Sequence, residues 1–224
     1  MNEIEMKHLR PYRNKELLKE IEFYAETNYI PIIKPEVANF LNIIIKIKKP
    51  LNILEIGTAI GYSAIIMLNS YKNAKLLTIE KDIDRAEMAR NNFKRASLLD
   101  RVELILGDAI EVLPNLNKKY DVIFIDASKG HYEEFFNECL RILNKDGLLI
   151  CDNILYKGYI EGEMSVKHKR RTIVYRMRNF IDTLVNKSEL TTSIIPIGDG
   201  LSLSIKEGCK VEIKNINCNK NKRA

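Results

Sequence analysis

Two short apolar runs in this chain end in oxygen-bearing side chains. Tyr120 to Ile125 finishes in Asp126, and Leu148 to Cys151 finishes in Asp152-Asn153. If both runs are strands of one parallel sheet, their carboxyl ends share an edge, and two carboxylates and an amide converge on it. Three hard oxygen donors suit a Mg²⁺-type or Ca²⁺-type site, because Mg²⁺ accepts a few protein oxygens and keeps its other positions for water and substrate. Solvated strand ends or helix caps are the plainer account of any one of these residues; three in register on adjacent strands favour the metal. Lys129 lies three residues past Asp126 on the following loop, within reach of an oxygen held by that ion. A lysine beside a divalent cation is pushed toward its neutral form and can act as a base; if charged, it would steady an oxyanion.

These residues need a sheet to carry them, and its organising stretch is Leu51 to Ser63. An apolar run too short for a helix breaks at Gly57, turns through Gly61 and continues with helical spacing at Ala64, Ile65 and Leu68. That is the opening βα unit of an open parallel sheet, whose turn binds ligands: glycines allow close approach to the backbone, and a helix start offers unpaired N–H groups. A dinucleotide fingerprint would need glycine at positions 59 and 62, which are Ala59 and Tyr62. Lys75 to Glu80 is the second predicted strand, with Glu80 at its ligand-facing end, where one carboxylate can accept both hydroxyls of a ribose. Val102 to Leu106 is the third and ends in Gly107-Asp108-Ala109; Asp108 can accept from an adenine amino group or cap the short 109–113 helix.

Around this core the pattern predicts a lead-in helix at 14–27, capped by Asn14 and burying Leu17, Leu18, Ile21, Tyr24 and Ala25. A helix from Pro35 to about Ile47 follows, then helices at 84–96, 131–143 and 170–185. The Asp146-Gly147 turn precedes the fifth strand, and two closing strands, 190–197 and 201–205, flank Gly198-Asp199-Gly200. Asp199 either faces substrate or only makes that turn. At 224 residues a single domain is expected over 1–206, with 1–49 as helical lead-in and 207–224 as a basic polar tail. No apolar run is long enough to span a membrane, and four cysteines without a C-x-x-C pair fit reduced thiols in a cytoplasmic protein. The net charge of +6 is unevenly placed: from Ser165 onward thirteen Lys and Arg stand against five Asp and Glu. The basic stretch is either a solvated face or a polyanion site, with Lys167, Lys169, Arg170 and Arg171 nearest the proposed metal edge.

Glu55-x-Gly57-x-x-x-Gly61 resembles motif I of S-adenosylmethionine-dependent methyltransferases. Together with Asp126-Ala127-Ser128-Lys129 and Asp152-Asn153-Ile154-Leu155, it makes residues 28–206 similar to the metal-dependent O-methyltransferases of the catechol and caffeoyl-CoA type. The resemblance implies a Rossmann-like α/β fold: a seven-stranded, mostly parallel sheet with an antiparallel last strand and helices on both faces. It implies that Ile33, Glu55, Gly57, Gly61, Ser63, Glu80, Asp108, Ala109 and Asp126 serve the S-adenosylmethionine site. Asp126, Asp152 and Asn153 would hold Mg²⁺, and Lys129 would be the general base. A homodimer is also implied. Catechol enzymes flank their lysine with a His-Trp pair, whereas Ala127-Ser128 stand here and the chain has no Trp. Ile30-Pro31-Ile32, Asp152 to Gly158 and Ile195 to Leu201 are closer to the bacterial tRNA 5-hydroxyuridine methyltransferases. That similarity implies methylation of the wobble 5-hydroxyl in a tRNA anticodon loop, giving 5-methoxyuridine. A small catechol-like or caffeoyl-CoA-like acceptor is the alternative, and a non-catalytic nucleotide- or RNA-binding module a third reading.

Overall fold

A computed structural model of the chain describes residues 14–127, 131–155 and 171–207. Their elements run α1 Lys15–Thr27, α2 Pro35–Lys48, β1 Asn52–Ile56, α3 Tyr62–Ser70, β2 Lys75–Glu80, α4 Ile83–Arg95 and β3 Val102–Leu106. There follow α5 Ala109–Val112, a 3₁₀ turn at Leu113–Asn115, β4 Tyr120–Ile125, α6 Tyr132–Ile142, β5 Leu143–Cys151, α7 Arg171–Asn186, β6 Leu190–Ile195 and β7 Leu201–Lys206. Seven strands form one sheet in the order β3-β2-β1-β4-β5-β7-β6. Strands β1 to β5 pair in parallel, while β7 is antiparallel to both β5 and β6, as the resemblance implied. The hairpin explains this: β6 lands at the sheet edge after α7, and a short turn returns β7 into the gap beside β5.

Alternation along the central strands splits their buried side chains between two layers. Ile53, Val122, Phe124 and Ile150 face one core, built with α1, α2, α3 and α4; Leu54, Ile123, Ile125 and Leu149 face the other, built with α6 and α7. A sheet covered on both faces needs near-continuous apolar strands, which is what β4 is from Val122 to Ile125. Burying each such side chain contributes about 1.5–3 kcal/mol. Helix α3 is buried at every position from Tyr62 to Leu68, as an all-round apolar helix must be.

Three sequence expectations are corrected here. Asn14 stands at the N-cap position of α1 and its carbonyl accepts from the Leu18 N–H, but at φ 59° its side chain makes no cap bond; its amide instead donates to the Ala96 carbonyl at 3.2 Å, tying α1 to the end of α4. Tyr24 is 43% exposed rather than buried, because the α1 stripe that meets the core is the narrower Leu17, Leu18, Ile21 and Ala25. The fifth strand begins at Leu143, not Leu148: pairing jumps from Tyr120↔Leu143 to Val122↔Leu148, so the expected Asp146-Gly147 turn is a bulge inside the strand. Asp121 fastens that irregular end, accepting from the Leu51 and Asn52 N–H groups and from the Asn144 amide.

Candidate active site

Strand order reverses between β1 and β4, and the carboxyl ends of those strands open into a cavity of about 570 Å³. Such a switch point is where open α/β sheets bind ligands, because neighbouring loops leave it in opposite directions. Of the sequence-proposed residues, Ile33, Gly57, Glu80, Asp108, Ala109, Asp126, Asp152 and Asn153 line this one cavity.

Glu80 is held firmly. Its Oε2 accepts from the Ala59 N–H at 2.8 Å, and its Oε1 from the Lys81 and Asp82 N–H groups, each at 3.0 Å. Only 7% exposed, the carboxylate presents acceptor positions to the cavity in a fixed orientation, as the grip on a ribose requires. Asp108 is the cap of α5, its Oδ1 accepting from the Ile110 N–H at 3.0 Å, and the residue also lines the cavity.

Of the motif glycines, Gly57 lines the cavity and Gly61 does not, and the chain's own packing requires glycine at both. A Cβ at Gly57, where φ is +97°, would stand 2.1 Å from the Asp126 carbonyl oxygen, and one at Gly61 would meet the Phe93 ring at 2.7 Å. The room the glycines leave is taken by the chain's own strand end and by α4. Beneath the turn lie Glu55 and Ser63, absent from the cavity lining: Ser63 Oγ donates to Glu55 Oε1 at 2.5 Å and Thr78 Oγ1 donates to Oε2 at 2.6 Å. Burial drives the Glu55 carboxyl up to about 8, the two hydroxyl donors offsetting only part of the desolvation and the charges of Asp126 and Glu80 adding to it.

At the far wall the proposed metal ligands converge. Asn153 Nδ2 donates to Asp126 Oδ1 at 3.0 Å, and the Asn153 N–H donates to Asp152 Oδ1 at 2.8 Å. Asn153 holds φ 61°, the left-handed conformation asparagine tolerates best among non-glycine residues, and this folds its side chain back on Asp126. Two carboxylates and an amide, all hard oxygen donors on a cavity wall, fit a divalent cation of the Mg²⁺ type, and a half-turn about χ2 presents the Asn153 oxygen instead of its nitrogen. Among the described residues no cluster of three His, Cys, Asp or Glu exists; the amide is what completes this set. The β6–β7 turn braces it, since Ile154 and Leu155 N–H donate to the Gly200 and Asp199 carbonyls at 2.9 and 3.0 Å.

Sequence reasoning missed several lining residues. Lys34 is one of them, pairing at 3.0 Å across 165 positions with Asp199, which lines the cavity from the turn and so takes the first of the two roles weighed for it. Lys81, Arg85, His131 and Phe135 also line it. Lys34 and Asp199 could not be linked by spacing; His131 and Phe135, four apart at the start of α6, carried a weak periodic signal. Lys129, Lys167, Lys169 and Arg170 lie outside the described residues, and Arg171 is described only as the first backbone position of α7.

The fold and this cavity agree with what the chain is similar to. The profile of the O-methyltransferase family matches residues 9–207. A catechol O-methyltransferase of Niastella koreensis is 35% identical over 162 residues, covering 70% of this chain and 73% of that one. A Staphylococcus aureus structure, provisionally described as a caffeoyl-CoA O-methyltransferase, superposes with a TM-score of 0.80 at 32% identity, covering 84% of this chain and 91% of the other. An O-methyltransferase from Bacillus cereus in complex with SAH gives a TM-score of 0.79 at 26% identity over 90% and 94% of the two chains. The chain belongs to the O-methyltransferase family. Within it, the chain is an S-adenosylmethionine-dependent O-methyltransferase of the catechol and caffeoyl-CoA type.

Proposed function

We propose that the chain transfers the methyl group of S-adenosylmethionine to one of two adjacent oxygens on a planar acceptor, with Mg²⁺ held by Asp126, Asp152 and Asn153. The observation that carries this reading is the convergence of those three side chains on the wall of the cavity that Glu80 and Gly57 also line. When bound, the donor supplies an electrophilic methyl and the cation supplies the charge that lowers the acceptor hydroxyl's pKa. The chain's own part is orientation. Glu80 takes the ribose hydroxyls, Asp108 the adenine amino group, and Ile33 closes an apolar wall. Lys129, beyond the described residues, keeps its proposed role as base or as partner to the oxyanion.

For the acceptor, the relatives support a small catechol-like or caffeoyl-CoA-like molecule better than tRNA, and that is the acceptor class proposed first. A specific observation favours a second reading, 5-hydroxyuridine at the tRNA wobble position. The chain carries thirteen Lys and Arg against five Asp and Glu from Ser165 on, and it has no Trp. In 5-hydroxyuracil the hydroxyl and the C4 carbonyl offer the same two adjacent oxygens as a catechol. Labelled methyl transfer to catechol, to caffeoyl-CoA and to hydroxylated tRNA, each with Mg²⁺ and with chelator, tests both. Turnover of the small acceptors that barely responds to salt supports the first reading. Turnover confined to tRNA that falls steeply with salt, and that weakens on changing Lys169, Arg170 and Arg171 to Ala, supports the second. Methylation undiminished by chelator would sink the metal in either case.

A cytoplasmic homodimer belongs to the same proposal. Ile43 and Ile47 on α2 and Leu51 after it are 57%, 70% and 57% exposed, apolar surface that a second copy would cover. Sedimentation equilibrium checks it; a monomer at micromolar concentration would remove the dimer from the proposal.

A further inference from the structure

The β4–β5 ladder stops where the proposed metal ligands begin. Ile125 pairs with Cys151, and the Asp152 N–H still donates to the Ile125 carbonyl at 2.9 Å. The next rung of a parallel ladder would run from the Ala127 N–H to the Asp152 carbonyl. A phenol stands in that place. Tyr132 Oη donates to the Asp152 carbonyl at 2.9 Å, and the Ala127 N–H lies close enough to the same hydroxyl to favour its charged form.

We propose that Tyr132 is a positioning residue for the metal ligands, its hydroxyl inserted as a spacer in the missing rung so that Asp126 and Asp152 are held apart at a fixed distance. The inference rests on the metal reading given above. Direct closure of the rung would draw the two strand ends, and the like charges they carry, together. Splaying them without a bridge would leave the carbonyl of buried Asp152 unpaired beside the half-buried Ala127 N–H. One hydroxyl, donor and acceptor at once, satisfies both groups and sets the gap. The ring is suited to act as a rigid spacer: Tyr132 is 1% exposed, on the first turn of α6, and packs edge-on against Phe180 with centroids 5.3 Å apart.

Tyr132→Phe keeps the ring and removes the bridge. Mn²⁺ titration of the full chain followed by electron paramagnetic resonance reads the ligands directly, and calorimetry with S-adenosylmethionine reads the other end of the cavity. Loss of an outer partner of metal ligands weakens metal affinity about 10–100-fold. The expected result is a loss in that range for Mn²⁺ with S-adenosylmethionine affinity unchanged within about 2-fold. Tyr120→Phe is the control. It deletes another buried hydroxyl from the same apolar layer, one with no hydrogen-bond partner among the described residues, and should leave Mn²⁺ affinity as in wild type. Should Tyr132→Phe fail to fold, Phe180→Leu loosens the ring's seat without touching the hydroxyl and should weaken Mn²⁺ by a smaller factor. Wild-type Mn²⁺ affinity in Tyr132→Phe, or in Phe180→Leu where that variant stands in, overturns the proposal, as does an equal loss for Mn²⁺ and S-adenosylmethionine. A wild-type chain that binds no Mn²⁺ overturns the metal reading itself, and the spacer with it.

Discussion

Gly57 and Asp126 meet backbone to backbone at the sheet's switch point: a Cβ on the glycine would lie 2.1 Å from the aspartate carbonyl. The first strand's turn and the fourth strand's ligand-bearing end are therefore a single packed unit. The Gly57 N–H donates to the Ile79 carbonyl and the Asp126 N–H to the Ile56 carbonyl, at 3.0 and 2.9 Å, so β2, β1 and β4 are tied together at the rim.

Gly57→Ala should disturb both halves of the site. A non-glycine residue at φ +97° is strained by about 1–3 kcal/mol before the clash with Asp126 is added. A total of about 3 kcal/mol or more corresponds to a melting temperature about 6–12 °C lower for a chain of this size. Thermal melts alongside S-adenosylmethionine titration check this; an unchanged melting temperature would mean that the rim relaxes freely.

Glu55 should leave a signature in stability against pH. Its folded-state value, raised by burial to about 8, lies above the ordinary 4.5, so the folded chain holds this proton where the unfolded chain has released it. The contribution is fully present below about pH 4.5 and is lost as pH rises to about 8, at a slope of up to about 1.4 kcal/mol per pH unit. Glu55→Gln removes the titration while keeping an acceptor for Ser63 or Thr78. The variant should therefore gain on wild type between pH 5 and pH 8.5 in chemical denaturation. Parallel profiles would contradict the buried, protonated carboxyl.

Asp152→Ala should separate metal from donor. Asp152 is 3% exposed on the wall opposite Glu80's backbone cradle, and nothing in that cradle passes through it. Metal-assisted turnover should fall by several kcal/mol of barrier, on the order of 10²–10³-fold, as it should on chelation of wild type. S-Adenosylmethionine affinity should hold within about 3-fold by calorimetry, and loss of both would put Asp152 in the fold instead of the site.

Much of the architecture was legible because burial writes itself into pattern. β2, β3 and β4 fall on the expected residues, since each is a short, mainly apolar run that ends at Glu80, Gly107-Asp108 or Asp126. Positions that depend on a partner far along the chain were not legible. Nothing near Asn14 announces the Ala96 carbonyl, and nothing near Tyr24 shows that the core ends one helix face short of it. The bulge in β5 answers to Asp121 on a different strand.

By itself the sequence determined the order of elements, the acceptor-rich strand ends at Asp126, Asp152-Asn153 and Glu80, and the glycine turn, because residue type and local period suffice for these. Only the tertiary structure decided what those groups touch. It set Glu55 and Ser63 beneath the turn instead of in the cavity, filled the glycine gaps with Asp126 and Phe93, joined Lys34 to Asp199, and put the Tyr132 hydroxyl between two strand ends. Each of these relationships is a distance between residues remote in sequence, and such distances exist only once the sheet has brought its strands side by side.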